Sequence, residues 1–314
     1  MTSKISILMP VKNGETFLPQ AIKEIESNAS IYDEIIIVDD GSQDRTSLLL
    51  RDWSRENSAV RVINNPKSGL VEALNLGIRE SSNNWIARFD VDDRYKSDRL
   101  ALQKRLITNT VAAIFCDYEF FSIKGKSLGS IPSPVYHQPS VMSLPFSQQT
   151  PHPGVMFNKT AVQSVGSYRT QDFPAEDISL WLRLARIGEI VSVPEILLNY
   201  RLSQNSISGQ NRRLAKRLSY NLVNEIGINT EEILFCFETW RNFFELYSIQ
   251  NLGAERSVLF YRNLMKAAQI SRVSESQLVE LREMRRYLKS DFRHGLAILD
   301  LAINKSKRQI YRSF

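Results

Sequence analysis

Cysteine is nearly absent: the 314 residues hold two, Cys116 and Cys236, each inside an apolar stretch. That gives no sign of a disulfide framework or a zinc site, and a reducing, cytoplasmic setting is expected. No apolar run reaches the roughly 18 residues that a membrane-crossing helix needs, so no transmembrane span is expected. The start, MTSKISILMPVKNG, turns polar too soon for a signal peptide. Also missing is a Gly-rich phosphate loop, since neither G-x-G-x-x-G nor G-x-x-x-x-G-K occurs. Phosphate groups, if bound, must then be held mainly by a metal and by basic side chains.

Charge is unevenly placed within the net +6. Residues 1–200 carry 21 Lys+Arg and 23 Asp+Glu, a balance of −2, whereas residues 201–314 carry 19 and 11, a balance of +8. A basic last third can meet phosphates of nucleic acid, anionic lipid or a phosphorylated substrate, or can be solvated helix faces. Nucleic acid is not an expected partner, because the excess is modest and no recognition motif appears.

What is present is an alternation of short β-rich runs with helical patterns. ISILMPV precedes an amphipathic stretch from Phe17 to Ser27, EIIIVDD precedes TSLLLRDWSRE, VRVINN precedes GLVEALNLGIRES, and WIARFD precedes a helix near Asp98–Thr108. Near-continuous apolar strands separated by helices predict a doubly wound, mainly parallel sheet with helices on both faces. Gly125 to Pro153 reads as a long loop, HPGVMFN as a strand, EDISLWLRLARIG as a helix and EIVSVPEILLNYR as two short strands. From about Gln210 the texture is helical throughout, which divides the chain into a catalytic-type α/β domain, 1–209, and a helical region, 210–314.

The polar residues gather at strand ends. Lys12-Asn13-Gly14, Asp39-Asp40-Gly41-Ser42, Asn64-Asn65-Pro66-Lys67 and Asp90-Val91-Asp92-Asp93 follow the first four strands. In a parallel sheet these ends share one edge, where open α/β sheets bind ligands. Asp39 and Asp40 can accept from a ribose hydroxyl or a base N–H, or can cap a turn and helix. Asp90, Asp92 and Asp93 offer hard oxygen ligands suited to Mg²⁺ or Mn²⁺. Arg88, two residues before Asp90, points to the same strand face and either touches a ligand or pairs with Asp90. Glu176-Asp177 opens a helix, where acidic residues complement the dipole, and Trp181 follows one turn later as core or as a stacking surface.

The ordered segments ISILMPVKNGETFL, IIIVDDGSQDRT, GLVEALNLGI, ARFDVDDRYKSDRL, HPGVMFNK and PAEDISLWLRL resemble the motifs of family-2 inverting glycosyltransferases with the GT-A fold, over about residues 1–208. The resemblance implies a nucleoside-diphosphate-sugar donor, UDP-sugar first, held by Pro10, Val11, Asn13, Asp39, Asp40, Lys67, Arg88, Asp90 and Arg201. It implies Mn²⁺ or Mg²⁺ on Asp92 or Asp93. Asp177, with Glu176 beside it, matches the general base, and His152 and Trp181 fall where the acceptor pocket is lined. The acceptor would be a saccharide or a lipid-linked saccharide. A non-catalytic nucleotide- or glycan-binding relative of the same fold is the alternative.

Two departures bear on this. The Tyr-Arg-x-His run common in the family reads YRLS here, with Ser203 in place of His, and the Gln-x-x-Arg-Trp motif of processive synthases is absent. Addition of a single sugar is therefore expected. Near the C-terminus, Phe292, Leu296, Leu299 and Ile303 form an apolar stripe followed by Lys305, Lys307, Arg308 and Arg312. This pattern suits a helix packed on the catalytic domain, or an interfacial helix on an anionic membrane that would place the protein at the inner face.

Overall fold

A computed structural model describes residues 3–28, 30–122, 125, 127–131 and 150–202. The expected boundary near residue 210 and the basic C-terminal stripe lie outside the described residues. The elements are β1 (Ile5–Val11), α1 (Leu18–Glu26), β2 (Glu34–Asp39), α2 (Thr46–Glu56), β3 (Val60–Asn64), α3 (Leu70–Glu80), β4 (Trp85–Arg88), β5 (Arg94–Tyr95) and α4 (Arg99–Lys104). There follow β6 (Val111–Ser122), β7 (Ser127–Ile131), β8 (Met156–Asn158), α5 (Lys159–Ser164), α6 (Glu176–Leu184) and β9 (Glu189–Leu202). Short 3₁₀ turns cover His152–Gly154 and Thr170–Asp172.

One mixed sheet runs in the order β3-β2-β1-β4-β8-β6-β9-β5, with β7 pairing the outer part of β6. Its first four strands are parallel, as the βα repeats require. β8 then enters antiparallel to both β4 and β6, so the strand order departs from sequence order beside β4, the usual place for a ligand crevice.

β1 is buried along its whole length because the sheet is covered on both faces. Ile5, Ile7, Met9 and Val11 pack into one core with Leu18, Ala21 and Ile25 of α1 and with Leu50 and Trp53 of α2. Residues of opposite parity face the other way. There α3 lies so close that a Cβ built on Gly77 would fall 2.1 Å from Leu8 Cδ1. Trp181 of α6 packs edge-on against Phe115 of β6 on that side, ring centroids 5.1 Å apart.

Two expectations are corrected, and one strand is added to those expected. The segment VAAIFCDYEFFS, to which the sequence pattern assigned no element, forms β6. The expected loop from Gly125 holds β7, while 132–149 lie outside the described residues. EIVSVPEILLNYR forms one strand instead of two. Its pairing with β6 jumps from Val193 to Ile196, so Pro194 and Glu195 bulge outward where proline cannot donate to the ladder. No helix among the described residues is long and apolar enough to cross a membrane.

The strands nearest the crevice are joined by a buried polar staple on α4. Gln103 Nε2 donates to the carbonyls of Ile114 (3.0 Å) and Gly154 (2.9 Å), while its Oε1 accepts from Arg99 Nε (3.2 Å). Arg99 Nη2 donates to the Arg88 carbonyl at 2.7 Å, and its guanidinium lies over the rings of Phe89 (4.3 Å) and Tyr95 (4.7 Å). Replacing Gln103 with Leu keeps the volume and strands two carbonyls and one N–H. Loss of roughly 3 kcal/mol of unfolding free energy is expected, at about 1–3 kcal/mol per unsatisfied buried group. Denaturant unfolding measures it, and a loss below roughly 1 kcal/mol would show that the staple carries little of the fold.

Candidate active site

The loops at the carboxyl edge of the parallel strands are tied to one another. Asn13 adopts a left-handed backbone (φ 53°) beyond β1. Its N–H donates to Ser42 Oγ at 3.0 Å and its Oδ1 accepts the Gln43 N–H at 2.8 Å. The next residue, Gly14, donates to Thr46 Oγ1 at 2.8 Å. The first two loops therefore form one rigid rim.

Asp39 is committed within that rim, its Oδ1 accepting the Ser42 N–H at 2.9 Å and its Oδ2 the Ser47 hydroxyl at 2.5 Å. Asp40 joins three loops. Its Oδ1 accepts from Asn65 Nδ2 (2.6 Å) and the Gly69 N–H (2.8 Å), and Lys12 Nζ stands 3.4 Å from Oδ2. Lys67 projects from the neighbouring loop into solvent, 3.9 Å from Glu72. Pro10 and Val11, expected at the donor, are the last residues of β1. Both are buried in β1, and the Val11 carbonyl is taken by the Asp40 N–H at 2.8 Å.

β4 delivers the acidic cluster. Arg88 is 2% exposed, and its Nη2 lies 2.9 Å from Asp90 Oδ1 and donates to Oδ2 at 3.1 Å. Arg88 Nε and Nη1 are buried without a hydrogen-bond partner. The two candidate metal residues separate in role. Asp93 is 4% exposed and its Oδ1 accepts the Arg201 N–H at 2.7 Å, so it anchors β9. Asp92 contributes its carbonyl to Arg201 Nε at 2.7 Å, with only the main chain in that bond. Burial, then the negative charge of Asp90, raises the Asp92 carboxyl, and burial, then Asp92 and Asp90, raises Asp93 well above its ordinary value. Among the described residues no group of three or more His, Cys, Asp and Glu is arranged to hold a metal ion.

Arg201 was expected on the diphosphate. Its guanidinium is instead sandwiched between the rings of Phe17 (4.8 Å) and Phe121 (4.5 Å), with Nε held by the Asp92 carbonyl. It braces the acidic loop from behind.

The second acidic cluster opens α6. His152 Nδ1 stands 3.9 Å from both Glu176 Oε1 and Asp177 Oδ2, and its Nε2 is 2.8 Å from Tyr168 Oη. Burial, then the charge of Arg88, holds His152 well below the ordinary histidine value, so the ring is neutral. Burial, then Asp177, pushes Glu176 up to about 7, and burial raises Asp177. Arg88 interacts electrostatically with Asp90, Tyr168 and Glu176, so this one cation joins the two clusters. Trp181 is corrected: it is fully buried, edge-on to His152 at 5.8 Å and to Tyr168 at 6.4 Å, and it offers no face to an acceptor.

Tyr168 and Asn75 escaped the sequence reading. Asn75 Nδ2 donates to the Tyr168 carbonyl (2.9 Å) and its Oδ1 accepts the Tyr168 N–H (3.1 Å), fastening the tyrosine to α3. An Asn inside a helix carries a signal, since it is a poor helix former there and needs a partner.

Residues 6–147 match the family described as Glycosyl transferase family 2. Over 240 residues the chain is 24% identical to the putative teichuronic acid biosynthesis glycosyltransferase TuaG of Bacillus subtilis, covering 75% of this chain and 92% of that protein. The structure of S. aureus TarS 1-349 with UDP-GlcNAc aligns at a TM-score of 0.58 and 15% identity, over 98% of this chain and 92% of that one. The mannosyltransferase PcManGT from Pyrobaculum calidifontis, with GDP-Man and Mn²⁺, aligns at 0.59 and 14% identity, over 98% and 87%. Residues 6–147 are thus similar to a glycosyl transferase family 2 domain, and the described residues share the GT-A fold of these neighbours.

The Glu176 environment has a consequence for stability. Between its ordinary value of 4.5 and about 7 the folded protein retains a proton that the unfolded chain has lost. Wild-type stability therefore falls as pH rises through that window. Glu176→Gln removes the loss. It should raise stability by roughly 3 kcal/mol at pH 8 and leave it nearly unchanged at pH 4.5. Thermal unfolding at the two pH values reads this, and an equal difference at both would show that burial of Glu176 is not the cause.

Proposed function

We propose that the chain is an inverting glycosyltransferase that moves one sugar from a nucleoside diphosphate sugar, with UDP the first candidate, to a hydroxyl of a glycan or lipid-linked saccharide. The observation that carries this reading is the pair of acidic clusters on either side of Arg88, one at the end of β4 and one at the start of α6. A single displacement needs one group to take a proton on the acceptor side and one site to receive negative charge on the leaving side. The bound nucleotides named for TarS (UDP-GlcNAc) and PcManGT (GDP-Man) support a sugar-nucleotide donor. The teichuronic acid named for TuaG supports a polysaccharide product.

Asp177 is the base in this reading. Burial favours proton uptake by its carboxyl, and the Ile178 N–H donating to Oδ1 at 2.7 Å fixes its orientation. Asp40 is the better of the two nucleoside candidates, because its Oδ2 faces only the flexible Lys12, whereas both oxygens of Asp39 are committed.

The β4 carboxylates fit a divalent cation. They are hard oxygen donors, raised first by burial and then by one another's negative charge, which a cation would offset. Mg²⁺-like ions commonly take one or two protein carboxylates and draw the remaining ligands from substrate phosphates. Asp92 would then hold Mn²⁺ or Mg²⁺, with Asp93 and Arg201 keeping its loop in place. A bound cation would neutralise charge developing on the leaving diphosphate.

Melting temperatures of the full chain with UDP, GDP or dTDP, with and without Mn²⁺, test the donor side. A rise with one nucleotide that grows with Mn²⁺ is expected, and Asp92→Asn should remove the Mn²⁺-dependent part. Asp177→Asn should leave both shifts intact and lower transfer by about 10²–10⁴-fold, the usual contribution of a general base. Transfer that survives in Asp177→Asn refutes the choice of base, and no shift with any nucleotide refutes the donor reading.

A further inference from the structure

Three groups meet beside the proposed base: Asn75 on α3, Tyr168 in the segment before α6, and His152 in the turn before β8. Asn75 grips both the N–H and the carbonyl of Tyr168, at 3.1 and 2.9 Å, so the tyrosine main chain cannot slide along α3. Tyr168 is buried, and its hydroxyl lies 2.8 Å from His152 Nε2. The imidazole is boxed by the rings of Tyr168 and Trp181, at centroid distances of 5.3 and 5.8 Å. Its free nitrogen, Nδ1, faces Glu176 and Asp177 at the same distance, 3.9 Å.

A neutral imidazole carries one hydrogen, so its two nitrogens have opposite characters. Were the hydrogen on Nε2, the Nδ1 lone pair would point at two carboxyl groups and be repelled once they ionise. With the hydrogen on Nδ1, that nitrogen presents its positive end to both, and Nε2 accepts from the Tyr168 hydroxyl. Tyr168 can supply the hydrogen, because burial keeps the phenol protonated far above neutral pH.

We infer that His152 is a positioning residue, a neutral imidazole locked by Tyr168 with its hydrogen on Nδ1, which orients and supports the ionised Asp177 carboxylate. This rests on the reading of Asp177 as base. It also gives His152 a place other than the acceptor pocket suggested by its motif. The charged and titratable groups around Asp177 are then Glu176 on its own helix, His152 and Tyr168 from the two loop segments, and Arg88 from β4, with Asp90 acting on Glu176 and Tyr168. Asn75 acts at one remove, through the tyrosine main chain.

The chain has three histidines, so the tautomer is directly observable. ¹⁵N spectra of the full chain labelled at histidine, with His137→Gln and His294→Gln used for assignment, read the state of His152 without substrate. The expected signature is a neutral ring with hydrogen on Nδ1 that does not take up a second proton between pH 8 and pH 5.5. Tyr168→Phe, which removes one hydroxyl and preserves the ring, should release the lock and mix the two tautomers. Where a donor is turned over, it should also lower kcat about tenfold, roughly the factor that one lost hydrogen bond accounts for, and leave KM for the nucleotide sugar unchanged. Hydrogen on Nε2 in the wild type, or titration near pH 6.5, overturns the inference. So does a Tyr168→Phe protein with an unaltered tautomer. Asp177→Asn tests the base through transfer and the spectra test the imidazole without it, so the two readings fail separately.

Discussion

A guanidinium removed from water needs negative charge close by, and the carboxylates around it need the guanidinium equally. Arg88, almost wholly buried at the end of β4, stands in that relation to Asp90 at 2.9 Å and to the Glu176 cluster beyond it. Its position is set from behind by Arg99, which is itself buried, holds the Arg88 carbonyl and lies over Phe89 and Tyr95. Truncating Arg88 would leave two groups of carboxylates repelling one another in a low-dielectric crevice. Because both acidic clusters answer to this one cation, the spacing between them is a property of the β4 end. In the proposed reading, a single in-line displacement draws on that fixed spacing.

Much of the fold could be read from the sequence, and for a simple reason. Where strands are short, β-branched and separated by amphipathic helices, periodicity and position agree, and TSLLLRDWSRE and the strand runs from Ile5 to Arg88 form the elements that their patterns predict. The second half obeys different rules. β6 stands outside the βα repeat and pairs with strands from further along the chain, and β9 contains a proline that reads as a break yet is absorbed as a bulge. Neither can be told from local pattern, since tertiary pairing decides both.

At the site, residue types were legible and their partners were not. Carboxylates at strand ends announced an edge that could bind a cation, but which ones are committed to the protein depends on contacts over a hundred residues apart, such as Asp93 with Arg201. Arg201 and Trp181 carry polar or aromatic chemistry that suggested ligand contact, and both are used inside the protein, one as a brace and one as packing. Tyr168 and Asn75 went unnoticed because neither belongs to a charged cluster. Their meaning comes from a pair of hydrogen bonds between a helix and a distant loop. Chemistry that lies in composition is visible in sequence, whereas chemistry that lies in orientation is not.

The most direct measurement is a crystal structure of the full chain grown with UDP and Mn²⁺, with manganese located by its anomalous scattering. Manganese bound by the Asp92 carboxylate and the UDP diphosphate, with the Glu176 and Asp177 carboxylates free of metal across Arg88, is the expected result. Manganese seated between Glu176 and Asp177, or a diphosphate bound away from the end of β4, would contradict the division of labour between the two acidic clusters.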